Sequence, residues 1–436
     1  MTIPQQVCEK CKPLFDILVN KIAGLQAKID ELEKRLLAYE NAHTPSSQDK
    51  RKYPRKESSN NSAGAPIGHE GTTREMPKPN NFKELKLSSC PDCGKRLGRA
   101  RSMRRKIIID IPEPQPLIIT EFTINYYFCA HCNKEIAPRD PGLPSEGIFG
   151  PNLLSEATLM KNEDRLPYNK IARTLSRKYN DLDLTQATAL DINRRTADKL
   201  LGEYEKIKKE VMDSKQVNGD ETGIKVQGKN FWAWIFTTLT SVLFMIRKNR
   251  GQKTIKEALG NNYMGILTCD GWASYPKCVK TIQRCWAHLL REAKWHAEKY
   301  EGQANLLYNC LCKMFSRIKK ITINTAGGAR ARMYNKCINE MRSWINVCKS
   351  YPGLKKFAVK IENGLEQWFT CILHPEVEPT NNRAERELRE IVVQRKISSL
   401  WNEKGIRIKE IVMSVLATWR LKGLNTFAML RQTLMS

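Results

Sequence analysis

Two aspartates in the sequence could share metal ions for phosphoryl transfer. Asp220 lies in the first of three predicted strands, and Asp270 ends a buried strand that follows a predicted helix. In a β-β-β-α-β arrangement the fourth strand can pair parallel to the first, which would bring Asp220 beside Asp270. The predicted strands are residues 215–226, 230–238, 241–247 and 264–270, with a turn at Gly228-Lys229 and a helix near 253–259.

Two neighbouring carboxylates repel each other unless cations lie between them. Carboxylate oxygens are hard ligands that suit Mg²⁺ or Mn²⁺. Two such ions about 4 Å apart can activate an attacking oxygen and stabilise a leaving oxygen in phosphoryl transfer. Asp220 and Asp270 therefore predict a two-metal site that a third carboxylate must complete.

A predicted helix in residues 378–396 could supply the third carboxylate. Its sequence is EPTNNRAERELREIVVQRK, with three glutamates. Its apolar residues form one buried arc: Ala384, Leu388, Ile391 and Val392. Glu390 points away from this arc, whereas Glu385 and Glu387 flank it on opposite edges. Helical geometry therefore leaves two candidates. Glu385 also has a structural interpretation, as the partner of an Asn382 cap.

Two Cys-x-x-Cys pairs predict a zinc site, because four thiolates suit tetrahedral Zn²⁺. The four cysteines are Cys90, Cys93, Cys129 and Cys132. The alternative is four reduced thiols in a small β module. The segment between the pairs carries seven basic residues and no acidic one, which indicates DNA-backbone contact or a solvated basic loop. These basic residues are Lys95, Arg96, Arg99, Arg101, Arg104, Arg105 and Lys106.

The charge of the whole chain indicates a polyanionic partner. The 436 residues include 73 Lys and Arg against 46 Asp and Glu, a formal net charge of +27. Double-stranded DNA bound through its phosphates is the simplest such partner. The N-terminus does not read as a signal peptide, and no apolar run is long enough to span a membrane. We therefore expect a cytoplasmic protein whose cysteines are reduced.

The N-terminal part of the chain predicts several separate modules. Residues 12–42 carry a heptad with Ile and Leu at its core positions, which favours a parallel homodimeric coiled coil or a higher oligomer over a helix packed on its own chain. Residues 43–80 have the composition of a disordered basic linker. Residues 81–140 form the zinc-binding module, and residues 141–213 are helical, either a DNA-binding helix-turn-helix or a plain helical hairpin.

Several motifs occur in an order that resembles the transposases of the IS66 insertion-sequence family. The matching segments are DETG at 220–223 with GKNFWAW after it, CDGWASY at 269–275, CWAHLLREAK at 285–294 and PTNNRAERELR at 379–389. Weaker matches are RLPYNKIA at 165–172 and GAPIGHEG at 64–71. The resemblance covers nearly the whole chain. Trp272 stands where the family commonly has tyrosine, and neither this nor the loose GAPIGHEG match touches a proposed ligand.

The resemblance implies a multi-domain α/β protein with an RNase H-like mixed β-sheet, interrupted by a helical insertion. The catalytic core would comprise residues 214–285 and 379–436, and the insertion residues 286–378. The family pattern assigns its catalytic glutamate to Glu385, which chooses between the two candidates that the helical geometry leaves. Asp220, Asp270 and Glu385 would then hold Mg²⁺ or Mn²⁺, beside the structural Zn²⁺.

Further basic residues near these motifs are candidates for DNA contact. His288 follows the second predicted catalytic strand, and Arg291 lies one helical turn beyond it. Three arginines recur on the helix of Glu385: Arg383, Arg386 and Arg389. The alternatives are a structural polar contact for His288 and a solvated face for the three arginines.

The sequence therefore predicts a DNA transposase that cleaves transposon ends and joins them to target DNA. Its partners would be the two kinds of DNA, a second copy of the chain and, as further candidates, accessory transposition proteins. Two rivals stay open: a catalytically inactive zinc-containing DNA-binding protein derived from a transposase, and an RNase H-like nuclease without strand transfer. A third interpretation treats the three carboxylates as ordinary surface and capping residues.

Overall fold

The computed structural model describes most of the chain in two compact units that meet in sequence at residues 115 and 116. The described residues are 12–39, 78–99, 102–109, 116–138, 140, 143–144, 147–179, 181–300, 302–400 and 402–435. Most of the predicted linker 43–80 and the predicted DNA contact Arg101 lie outside these residues. Each unit is therefore described by itself.

The first unit contains one long helix, α1 (Lys12–Tyr39), within the predicted coiled-coil segment. Over residues 18–32 every side chain is exposed, including the apolar heptad residues. These exposed residues are Leu18, Ile22, Leu25, Ile29 and Leu32. The same unit holds a tight turn at residues 90–94, closed by a bridge between Ser89 and Arg96.

The second unit begins with a short hairpin and a bundle of three helices. The hairpin joins β1 (Tyr127–Cys129) to β2 (Lys134–Ile136). The helices are α2 (Pro151–Asn162), α3 (Tyr168–Lys178) and α4 (Gln186–Met212). Their shared core contains Leu154, Ala157, Ile171, Leu175, Ala189 and Ile192. The two predicted helices are thus present as α3 and α4, and Thr185 caps α4 by accepting from Thr188 N at 3.1 Å.

A five-stranded mixed sheet follows this bundle, with strand order β5-β4-β3-β6-β7. Its strands are β3 (Gln216–Val226), β4 (Lys229–Thr237), β5 (Val242–Arg247), β6 (Ile266–Cys269) and β7 (Thr281–Arg284), with α5 (Gln252–Leu259) between β5 and β6. The first three strands form antiparallel pairs, whereas β6 pairs parallel to β3 and β7 parallel to β6. The predicted parallel pairing of the strand that holds Asp220 (β3) with the strand that precedes Asp270 (β6) is confirmed.

Helices cover both faces of this sheet. On one face, α11 (Asn382–Ile397) packs Ala384, Leu388 and Ile391 against apolar residues of β3 and β4. On the other face, α4, α5 and α12 (Glu403–Leu421) enclose a core around Trp234 and Phe236. The last helix, α13 (Thr426–Met435), packs against α2.

One edge of the sheet is protected by side chains of α12. The backbone N–H groups of Val242, Phe244 and Ile246 on β5 donate to Thr418 Oγ1, Ser414 Oγ and Glu410 Oε1. Four residues of a helix and two residues of a strand each advance the chain by roughly 6 Å. This similar advance allows three successive hydrogen bonds between α12 and β5. An edge whose donors are satisfied in this way cannot recruit another strand.

A helical insertion separates β7 from α11. It consists of α6 (Trp286–Lys299), α7 (Gln303–Ile318), α8 (Gly327–Lys349), α9 (Pro352–Glu362), a 3₁₀ turn at Glu366–Trp368 and α10 (Thr370–Leu373). Its own apolar core includes Trp286, Leu311, Met341, Phe357 and Phe369. The insertion therefore has an apolar core beside, and largely separate from, those of the sheet.

The structure differs from the sequence predictions at three places. The four predicted strands of the core do not include β7 (Thr281–Arg284), which adds a parallel strand after residue 270. The turn between β3 and β4 is formed by Gln227 and Gly228, not Gly228-Lys229, and both turn residues have positive φ, as a two-residue hairpin turn requires. Asn381, not Asn382, is the N-cap of α11, and its side chain does not cap the helix. Among the described residues, no helix combines the length and apolar character needed to cross a membrane.

Candidate metal and phosphate site

The parallel pairing of β3 and β6 brings Asp220 and Asp270 to the same level of the sheet. Asn218 pairs with Thr268, and each aspartate lies two residues further along its strand direction. Asp220 Oδ1 accepts from Glu221 N at 2.9 Å, and Asp270 Oδ1 accepts from Trp272 N at 2.8 Å. Each carboxylate is thus oriented by a backbone N–H of its own loop or strand.

The environment of Asp220 disfavours its negative charge. Burial is the largest cause that raises its pKa well above the usual range, and the charges of Glu221 and Asp270 add to this. Glu385 makes a further contribution in the same direction, so its carboxylate also lies within electrostatic reach of Asp220. The charges of the three predicted ligands therefore interact, although the residues come from three separate motifs.

Asn381 holds the helix of Glu385 against the strand of Asp220. Its Nδ2 donates to Gly219 O at 2.8 Å, and its Oδ1 accepts from Asn218 Nδ2 at 3.3 Å. Its backbone N–H donates to Cys285 Sγ at 3.1 Å, beyond the end of β7. Asn381 is completely buried, so these contacts fix where α11 begins. The sequence analysis did not predict this role of Asn381.

The three glutamates of α11 face different partners. Glu385 Oε1 lies 3.4 Å from His288 Nδ1, and Glu385 Oε2 lies 3.9 Å from Arg291 Nη2. Glu390 accepts two hydrogen bonds from Arg165, at 3.0 and 2.8 Å. Burial raises the pKa of Glu387, for which Asp220 and Asp270 are not among the causes. Of the three, Glu385 is the one beside the aspartates.

A cleft of about 310 Å³ opens beside Asp270, between the sheet and the helical insertion. Its lining includes Arg250, Asp270, Trp272, His288, Lys360 and Trp368. It therefore combines carboxylate, basic and aromatic side chains. A cleft with this lining can contact both charged and aromatic parts of a ligand.

Glu221, the residue after Asp220, belongs to the opposite face of β3 because successive strand residues alternate. It accepts from the Tyr275 hydroxyl and from Arg250 Nε, the latter at 2.7 Å. Burial, then the charge of Asp270, raises the pKa of Glu221, and these two donors act against that shift. The motifs DETG and CDGWASY gave the positions of Glu221 and Tyr275, but only the fold shows that they meet.

The comparisons with known proteins identify the family of this chain. The family model described as Transposase IS66 family matches residues 146–406, which is more than half of the chain. The chain belongs to the IS66 transposase family. A comparison with curated proteins gave no match. The matched region contains all three predicted carboxylate ligands, and the resemblance drawn from the sequence is confirmed.

The residues of this IS66 transposase fit a hard divalent cation. The donor set consists of carboxylates whose repulsion a cation would relieve. Glu385 Oε1 is buried and, within the described part of the chain, accepts no hydrogen bond of normal geometry. Ligand atoms of Cys285, His288 and Glu385 lie within 4.8 Å of one another. Burial raises the pKa of Cys285 to about 11, so its neutral thiol is a poorer ligand than the carboxylates.

The two cysteine pairs of the transposase share a local design, although they lie in different units. Cys90 and Cys93 are followed by Gly94 with φ +71°, and Cys129 and Cys132 by Asn133 with φ 49°. A backbone hydrogen bond from Cys93 lowers the pKa of Cys90, and one from Cys132 lowers the pKa of Cys129. Each pair thus forms a tight turn that favours the thiolate form of its first cysteine.

The predicted DNA-contact residues differ in their exposure. The basic residues described between the cysteine pairs are all exposed: Lys95, Arg96, Arg99, Arg104, Arg105 and Lys106. On α11, Arg386 and Arg389 are exposed, whereas Arg383 is half-buried and donates to Glu378 at 2.9 Å. Arg291 is about half exposed, and His288 is directed at Glu385.

Replacing Asp220 with Asn tests the repulsion in this site. The raised pKa means that the folded state keeps the Asp220 proton to higher pH than the unfolded state does. The metal-free protein therefore loses stability as pH rises from the unfolded value through the folded one. Near neutral pH, Asp220→Asn should raise the Tm of the metal-free protein by roughly 2–4 °C, the shift that about 1 kcal/mol gives in a domain of 150–250 residues.

The difference in Tm should shrink as pH falls, because the wild-type carboxyl then takes up its proton. Mn²⁺ should raise the Tm of the wild type and leave that of Asp220→Asn nearly unchanged. Asp183→Asn, at an exposed position, is the matched control. A lower Tm for metal-free Asp220→Asn would contradict the predicted repulsion.

Proposed function

We propose that this chain is a DNA transposase of the DDE type, in which Asp220, Asp270 and Glu385 hold two Mg²⁺ or Mn²⁺ ions. The proposal is carried by the placement of Asp220 on β3 beside Asp270, which follows β6, together with the electrostatic effect of Glu385 on Asp220, all within the family-matched region. The five-stranded mixed sheet with α11 across it supports an RNase H-like core. The net charge of +27 supports DNA as the substrate.

When bound, the two ions would supply Lewis-acid stabilisation of the attacking and leaving oxygens. In the first step, a water oxygen would attack the phosphorus at the transposon end, and the bond from phosphorus to the 3′ oxygen would break. In the second step, the freed 3′ hydroxyl would attack a phosphorus of target DNA and release a target 3′ hydroxyl. The protein would contribute chiefly positioning and fixed charges.

The rigid attachment of each ligand supports this role. Asp220 lies in β3, Asp270 directly follows the paired strand β6, and Asn381 ties the start of α11 to Gly219. A site built on strands and a helix can hold its groups more closely than one built on loops. DNA would follow the exposed basic residues Arg291, Arg386 and Arg389, and the ends would be recognised by residues 81–213.

Four single substitutions test the three carboxylates. Purified protein is incubated with Mg²⁺ or Mn²⁺ and a supercoiled plasmid that carries the ends flanking its own gene. Asp220→Asn, Asp270→Asn and Glu385→Gln should each lower cleavage and joining by at least about 100-fold, since each removes a ligand charge of the reacting centre. Glu387→Gln, on the same helix, should retain activity.

The products separate the proposed function from its rivals. Cleavage without joined products would favour a nuclease. Specific binding of the ends with no cleavage by the wild type would favour an inactive DNA-binding protein. Equal cleavage by the wild type and all four variants would contradict the assignment of the three carboxylates.

We infer that the Cys-x-x-Cys turns supply thiolate ligands to structural Zn²⁺. The two turns with a left-handed residue after the second cysteine support this, because four thiolates at such turns suit tetrahedral Zn²⁺. Metal analysis of the purified protein should give one zinc per chain. Cys129→Ser should lower this content markedly, whereas Cys312→Ser, on α7, should leave it unchanged. Equal zinc content in both variants would contradict the assignment.

We also infer that α1 pairs with a second copy of the chain. An exposed apolar heptad supports this, because isolated exposure of so many Ile and Leu side chains is unfavourable in water. Replacing Ile22 and Ile29 with Asp should convert a dimer or higher oligomer to a monomer in light scattering. Lys21→Asp and Lys28→Asp provide a control on the same helix. An unchanged mass after the Ile substitutions would contradict pairing through α1.

A further inference from the structure

Arg250 is fixed beside the carboxylate site by contacts on several sides. Its Nε donates to Glu221 Oε1 at 2.7 Å, and its Nη2 lies 2.6 Å from the same oxygen. Its guanidinium carbon lies 3.8 Å from the ring centre of Trp272 and 4.7 Å from that of Trp232. Stacking on aromatic rings and pairing with a carboxylate leave the planar guanidinium little freedom to rotate.

The partner of Arg250 is itself immobile. The Glu221 side chain is completely buried and also accepts from the Tyr275 hydroxyl. Because Glu221 and Asp220 belong to opposite faces of β3, Glu221 is not placed to share an ion with Asp220. Glu221 therefore serves as an anchor for Arg250 rather than as a fourth ligand.

One edge of the guanidinium remains available. Arg250 Nη2 lies 3.9 Å from Asp270 Oδ2, and the side chain lines the cleft beside Asp270. The side chain is 27% exposed, although its carboxylate anchor is fully buried. Within the described part of the chain, Arg250 Nη1 makes no hydrogen bond. A fixed cation with a spare N–H edge thus borders the place where the phosphate is expected.

We propose that Arg250 binds a non-bridging oxygen of the phosphodiester that is cleaved, on the Asp270 side of the site. This inference rests on the proposed transposase function. Negative charge grows on those oxygens as the attacking oxygen approaches, and a donor that is already oriented stabilises it without reorganisation. The planar guanidinium matches phosphate geometry, which a lysine ammonium does not.

Binding to a neutral scissile linkage tests the contact directly. Duplexes of the transposon end are made with a normal phosphate or with an uncharged methylphosphonate at the cleavage position. Affinities are measured without divalent metal, so that no cleavage occurs. Arg250→Lys should weaken binding of the normal duplex by at least about tenfold, as expected for loss of a charge-assisted hydrogen bond.

The same variant should bind the methylphosphonate duplex as well as the wild type does, because the charge that Arg250 contacts is then absent. The double variant Glu221→Gln with Arg250→Gln should show the same pattern and leaves no unpaired buried charge. Lys248→Gln, an exposed basic residue of the same loop, is the matched control. Any loss of DNA affinity caused by Lys248→Gln should be the same for the normal and the methylphosphonate duplex.

Equal weakening of both duplexes by the Arg250 variants would overturn the inference. It would likewise be overturned if Arg250→Lys altered the Mn²⁺ affinity, measured by electron paramagnetic resonance, and left DNA binding unchanged. Arg250 would then be a positioning residue for Asp270. If the wild type neither prefers the transposon end nor cleaves it with Mg²⁺, the proposed function itself fails. Cleavage that depends on Asp270 keeps that function whichever way the Arg250 result falls.

Discussion

Mutual repulsion among carboxylates is the constraint on which the centre of this molecule depends. The charges of Asp270 and Glu385 both act on Asp220 of the central strand β3, and Glu221 adds a fourth negative charge. Burial makes this concentration more costly, because the charges are screened less than they would be in water. The alternation of β3 turns Glu221 to the opposite face, where Arg250 and Tyr275 satisfy it. The remaining three carboxylates are those that we propose as ligands of cations from solution.

The scaffold has to hold these groups together against their repulsion. Asn381 does so on one face by bonding the carbonyl of Gly219, immediately before Asp220. At the far edge of the sheet, Glu410, Ser414 and Thr418 of α12 satisfy the free N–H groups of β5. A sheet closed in this way cannot relieve strain by sliding or pairing elsewhere. The buried polar side chains of Asn381 and of α12 thus stabilise the sheet at β3 and along its β5 edge.

The sequence predicted the strands and the adjacency of the two aspartates because hydrophobic alternation and connection order are local properties. It did not predict β7, whose four residues are too short to show a period. The helical pattern alone could not separate Glu385 from Glu387, since both flank the buried arc. The choice depends on which edge of α11 faces β3, and that is set by Asn381 and by the packing of Ala384 and Leu388. The pairing of Glu221 with Arg250 joins segments 29 residues apart and left no local signal.

The helical insertion illustrates how a long segment can border the candidate site without displacing the sheet or α11. It leaves the sheet at Cys285 and returns at Asn381, and these two residues are joined by a hydrogen bond of 3.1 Å from Asn381 N to Cys285 Sγ. Trp286 N also donates to Pro379 O at 2.9 Å. Because its ends meet, the insertion behaves as a closed loop with its own core, and the entropy of closing it grows only slowly with its length. Its first helix can therefore carry His288 and Arg291 to Glu385 while the position of α11 stays fixed by the sheet.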